Sequence, residues 1–135
     1  MSIPNWNHEA GLNNVGSYQV SGRPFAKGGI DASSSTQEVE FPYVTRWVTI
    51  INNDHEAACK VGFSQAGVEG TNYFTVGKSD ADGKSRSSVR LELKVGELFL
   101  SGSDNVDVVA GLTTIQTRHV KTGAGDSWKG EDGVG

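Results

Sequence analysis

The chain has 135 residues, with 16 acidic against 12 basic side chains and a formal net charge of -4. One domain of this length buries enough surface to fold without a metal or disulfide staple, and its Lys and Arg are scattered singly, so the basic patch that a phosphate backbone demands is missing and no nucleic-acid partner is expected. The longest apolar runs are too short to span a bilayer, the start Met-Ser-Ile-Pro-Asn-Trp-Asn-His does not read as a secretory signal, and no Asn-x-Ser/Thr acceptor occurs.

Residues 1–35 are polar and rich in Asn, Ser and Gly, with isolated apolar anchors at Ile3, Trp6, Leu12 and Val15 and no strand or helix period. They predict an extended N-terminal arm, with a short first strand over 18–25 in which Pro24 is confined to an edge or strand end because it has no N–H. From Glu38 to Leu112 short Val, Ile, Leu and Phe runs recur between Gly, Asn, Asp and Ser clusters, which is the pattern of an all-β sandwich or barrel of about eight strands. The runs are Gln37 to Phe41, Thr45 to Asn52, Cys59 to Phe63, Tyr73 to Val76, Val89 to Val95, Glu97 to Ser101 and Val106 to Ile115. In Val89 to Val95 the alternation is clean, with Val89, Leu91, Leu93 and Val95 facing inward. Thr45 to Asn52 carries apolar groups on both faces, so it predicts a strand covered on both sides, with Trp47 packed in the sandwich or against a neighbour. Gly67 and Gly70 read as a turn and Gly77 to Ser88 as an exposed loop. The resulting architecture is a single eight-stranded jelly-roll sandwich over 36–116, preceded by the arm and followed by an irregular Gly-rich tail over 117–135. An immunoglobulin-like sandwich competes, but its paired cysteines are absent.

No catalytic set emerges from the polar residues. Asp80-Ala-Asp82-Gly83 lacks the glycine and glutamate spacing of a calcium-binding EF-hand loop and reads as a solvated loop, although a looser site could draw on Asp104 and Asp107. His8, His55 and His119 are far apart and form no H-x-H or H-x-x-x-H pair, so no metal and no cofactor is expected. Gly62-Phe-Ser64-Gln-Ala-Gly67 resembles a nucleophile elbow only loosely, with the wrong spacing and no helix expected after it. Gly123-Ala-Gly125-Asp-Ser-Trp128 lacks the third glycine of a dinucleotide loop. The lone Cys59 reads as a small buried hydrophobe and fits maturation in a reducing compartment. Trp6 and Trp128 are large apolar groups in polar segments near the termini, each gaining by docking on a partner or back onto its own sandwich.

Several runs taken together resemble a known family. Val20-Ser-Gly-Arg-Pro-Phe25, Phe41-Pro-Tyr-Val-Thr-Arg46, Lys60-Val-Gly-Phe-Ser64 with Asn72-Tyr-Phe-Thr75, Leu91-Glu-Leu-Lys-Val-Gly-Glu-Leu-Phe-Leu100 and Ala110-Gly-Leu-Thr-Thr-Ile115 follow one another in the order and spacing of the single-jelly-roll penton proteins of large icosahedral double-stranded DNA viruses. The resemblance covers residues 18–135, its Gly-rich close from Thr122 to Gly135 included. It implies a structural virion protein assembled in the host cell, five copies of which form the capsid vertex beside a major capsid protein and minor capsid proteins, with no catalytic residues. A host receptor is a partner it leaves open.

A ring of this kind needs unlike flanks that meet head to tail. The arm residues Trp6, Tyr18 and Phe25 and the tail residue Trp128 are then the candidate contacts to neighbouring capsid proteins. The alternative is a carbohydrate- or receptor-binding module that stacks its ligand on Tyr43, Tyr73 or Trp47. A small jelly-roll enzyme would need clustered polar groups on an inner face.

Overall fold

The computed structural model describes residues 23–79, 86–88 and 90–135, and among them eight strands pair into two four-stranded antiparallel sheets. The first sheet has the order β1 (Arg23–Ile30), β8 (Val106–Leu112), β3 (Thr45–Asn52) and β6 (Arg86–Ser87). The second has the order β2 (Gln37–Glu40), β7 (Glu97–Ser101), β4 (Cys59–Gly62) and β5 (Tyr73–Val76). Each of the first four strands therefore pairs with its counterpart from the chain's other end: β1 with β8, β2 with β7, β3 with β6 and β4 with β5. Only the β4–β5 connection stays within one sheet.

The predicted all-β sandwich is thus present, and its core follows the alternation in the sequence. Val48 and Ile50 of β3 and Val106, Val108 and Ala110 of β8 face Val39 of β2, Val61 of β4 and Leu98 and Leu100 of β7, and none is more than 1% exposed. Each Val, Leu or Ile among them contributes roughly 1.5–3 kcal/mol by leaving water. Polar groups close one end of the layer. Asn52 is fully buried; its Nδ2 donates to the carbonyls of Ala57 and Gly77, and its Oδ1 accepts from Asp54 N and the Ser103 hydroxyl. Among the described residues no helix is long and apolar enough to cross a membrane.

Several expectations need correction. The sandwich begins at Arg23, not at 36, because Arg23–Ile30 is a full strand hydrogen-bonded along β8. The expected first strand over 18–25 is described only from Arg23, and there it is the opening of β1. Gly28 and Gly29 lie in an interruption of register between Lys27 and Ile30; Gly29 has φ +66 and donates its N–H to Asp107. Where a turn through Gly67 and Gly70 is expected, the chain forms a helix, α1 (Gln65–Glu69), which contains Gly67, is capped by Gly70 and lies over β4 and β7. Gly62 permits this approach, since a Cβ there would meet Val68 at 2.8 Å.

Of the strand expected over 89–95, the described residues keep one isolated bridge between Leu91 and Val48; β6 lies before this stretch, at Arg86–Ser87, and Val89 is outside the described residues. Its inward pattern survives at Leu91, Leu93 and Val95, which pack on the core. The ladder is interrupted, because beside the backbone bond from Thr45 N to Val95 O the Thr45 hydroxyl donates to Leu93 O at 2.7 Å and accepts from Val95 N at 3.1 Å, while the chain crosses to the other sheet. The last strand ends at Leu112, three residues before Ile115. There the Thr113 hydroxyl, donating to Val44 O and accepting from Ile115 N, ends the strand while Ile115 stays buried against Val44. The exposed loop expected over 77–88 contains β6, and residues 80–85 lie outside the described residues.

The tail beyond 116 holds a short 3-10 turn at Thr117–Val120 and otherwise irregular chain, as expected, but it is seated on the sandwich. Val120 joins Val44 and Ile115 in a second buried cluster, and the nearly buried Ser127 accepts from Gly96 N. Ser127 (φ 48) and Trp128 (φ 62) adopt the left-handed region that most side chains avoid. The Gly96–Ser127 bond and the Trp128 N–H bond to Val120 O hold them there.

Candidate functional site

Of the four residues expected to contact partners, Trp6 and Tyr18 lie outside the described residues. Phe25 is half-buried on β1 and stands edge-on against Phe41, 5.0 Å between ring centroids at 78°. Trp128 is also half-buried: its ring packs against both hydrophobic clusters and its indole N–H donates to Lys94 O. These two rings are therefore engaged within the chain.

The residues weighed for chemistry have structural work. Ser64 is the N-cap of α1, its hydroxyl accepting from Gly67 N at 2.9 Å and donating to Val134 O at 2.7 Å. A helix does follow Ser64, contrary to expectation, but it is only five residues long. Cys59 is fully buried, and burial pushes its thiol up to about 11. His55 is exposed beside Glu56, with Nε2 to Oε1 3.8 Å, and His8 is outside the described residues. Asp80 and Asp82 are likewise outside, while Asp107 accepts from Gly29 N and Asn53 Nδ2. Asp104 meets Asp54 instead. Backbone N–H groups of Glu56 and Asp104 hold Asp54 below the ordinary carboxylate range, and burial together with Asp54 raises Asp104.

Sequence reasoning missed one cluster. Glu38, Glu40 and Glu97 place one carboxylate oxygen each within 4.8 Å of one another. The register explains the meeting: Glu38 and Glu40 share a face of β2, and Glu40 is paired across the ladder with Glu97 of β7. Burial first, then the hydrogen bond and charge of Glu38, push Glu97 up to about 8, so at neutral pH its carboxyl is protonated and bonded to Glu38. Glu38 chiefly raises Glu40 as well. The alternation Glu38-Val39-Glu40 announces an acidic strand face, but nothing local announces the third carboxyl.

The two flanks of the sandwich differ. On one, β1 presents an edge interrupted by Pro24, charged at Lys27 and irregular after it, features that discourage edge pairing. On the other, β5 presents Tyr73–Val76 without proline, and Tyr73, 38% exposed, is the one exposed large hydrophobic side chain among the described residues. Phe63 lies beside it, 6.4 Å from Phe74 between ring centroids. Near this flank, where the chain leaves Leu91 and crosses to β7, a cleft of about 550 Å³ opens between Phe63, Leu93, Val95, Trp128 and Val134, with Arg46 at its rim.

No protein-family model matches this chain, and no curated protein or solved structure matches it. The functional reading rests on strand pairing and on the unlike flanks. The three rings considered as a stacking platform are dispersed, Trp47 on the first sheet, Tyr73 on the second and Tyr43 between β2 and β3. Each carries a cation on its face: Arg23 over Tyr43 at 4.4 Å, Lys60 over Tyr73 at 4.9 Å and Arg90 over Trp47 at 5.6 Å. Trp47 is half-buried outside the core and lies directly over Gly111, where any side chain would run into the indole.

Proposed function

We propose that this protein is a structural virion protein, the penton subunit of an icosahedral capsid, built on a single jelly roll and working without catalysis or cofactor. The observation that carries the reading is the pairing order. Two ends of a long antiparallel hairpin, rolled so that β1 meets β8, β2 meets β7, β3 meets β6 and β4 meets β5, make the wrapped arrangement of a jelly roll, an architecture common in capsid shells. The family resemblance of the sequence adds the vertex.

Five copies close head to tail, the β1 flank of each against the β5 and β6 flank of the next. The unlike chemistry of the two flanks suits such a heterologous contact, which needs complementary rather than identical surfaces. With Phe25 and Trp128 engaged inside the chain, Trp6 and Tyr18 are the arm residues left to contact neighbouring subunits of the capsid, and the arm as a whole tethers the vertex. Native mass spectrometry with class averages from electron microscopy tests the ring. A mass of five copies with five-fold averages is expected, and a monomer at every concentration or a ring of another symmetry refutes it. For the tether, deletion of residues 1–17 abolishes incorporation into particles, and unchanged incorporation counts against it.

A further inference from the structure

We infer that the cleft beside Trp128 receives the N-terminal segment of the next copy in the ring, an exchange that rests on the ring reading above. Three features place donor and acceptor together. The described chain starts at Arg23, at the β1 edge, with 22 residues before it that include Ile3, Trp6, Leu12, Val15 and Tyr18. Arg23 pairs with Leu112, and Leu112 pairs in turn with Thr45, whose hydroxyl is bonded to Leu93 O and Val95 N in the cleft wall. The segment therefore starts at the same end of the sandwich as the cleft.

It starts on the opposite flank, however. From β1 across β8 and β3 to the β6 side is three strand spacings, about 15 Å. Within one molecule the segment would have to cross an end already covered by Val44, Ile115 and Val120. In a head-to-tail ring the β1 edge of one copy abuts the cleft flank of its neighbour at the same level, and no crossing is needed. Reach does not restrict the choice, since the 17 residues from Trp6 to Arg23 span up to about 56 Å extended. The cleft wall is apolar at Phe63, Leu93, Val95, Trp128 and Val134, a match for an indole in an otherwise polar segment.

The test joins the two positions covalently. Asn7→Cys and Glu92→Cys are placed in one chain, which keeps Trp6 and the apolar wall intact; the native Cys59 is buried. Mild oxidation of the assembled protein is expected to give covalent multimers up to five copies, with peptide mapping showing positions 7 and 92 joined between chains. Linkage within one chain, or an intact ring without linkage, overturns the exchange and leaves the ring standing. A protein that is monomeric in the native mass spectrum overturns both. As a second measure, Trp6→Ala is expected to raise the concentration for half-assembly about tenfold or more, and an unchanged value overturns the inference.

Discussion

Replacing Glu97 by Gln removes the proton that the carboxyl cluster holds, and the consequence is a change in the pH dependence of stability. In the unfolded chain this carboxyl titrates near 4.5, whereas in the fold burial and Glu38 push it up to about 8. Between those values the folded state binds more protons than the unfolded one, so this group's contribution to stability is fully present below the interval, falls as pH rises through it and is gone above it. The span corresponds to about 5 kcal/mol at about 1.4 kcal/mol per tenfold change, and solvent beside the exposed Glu38 and Glu40 reduces this to about 2 kcal/mol.

The measurement is urea unfolding followed by tryptophan fluorescence at constant ionic strength from pH 5 to 9. The native protein is expected to lose about 2 kcal/mol more than Glu97→Gln across that range, leaving the variant the more stable at pH 9. Titrating groups outside the Glu38, Glu40 and Glu97 cluster affect both proteins alike and cancel in the difference. Parallel curves for the two proteins, or a native protein that gains stability relative to the variant as pH rises, would refute the account of the cluster.

Four further outcomes follow. Gly111→Ala drives a Cβ into the Trp47 indole and is expected to cost about 1–3 kcal/mol by chemical denaturation, with no loss if Trp47 can swing away. Asn52→Ala removes a fully buried amide that bonds Ala57, Gly77, Asp54 and Ser103, and is expected to cost about 3 kcal/mol. Gly67→Ala runs into Val134 O and should unseat the last residues, read as faster cleavage of the C-terminus by a carboxypeptidase while the sheets stay folded. Cys59, with its buried thiol at about 11, should react with a thiol reagent only as fast as the protein opens, so a burst of labelling in the native state contradicts the structure.

Period-two patterning placed the inner residues of β3 and β8 correctly, because a strand's side chains alternate whatever its neighbours are. The expected first strand stopped at Phe25, short of Lys27-Gly-Gly-Ile30, because two glycines weaken a strand locally, and only the partner strand β8 with Asp107 carries it on. The alternation at 89–95 named inward residues but not the interrupted ladder, since a threonine hydroxyl 48 and 50 positions away takes two of the bonds. The tail looked unanchored because its partners, Gly96, Lys94 and Ser64, lie far back in the chain.

The order of residues alone determined that two apolar faces would be buried between strands, because that property is written in nearest neighbours and costs free energy if violated. Which strand lies beside which was decided only on folding, and with it the meeting of Glu97 with Glu38 and Glu40, the covering of Tyr43, Tyr73 and Trp47 by cations, and the seat of Trp128. Each of these depends on contacts between distant segments, and no local pattern encodes the distance between them.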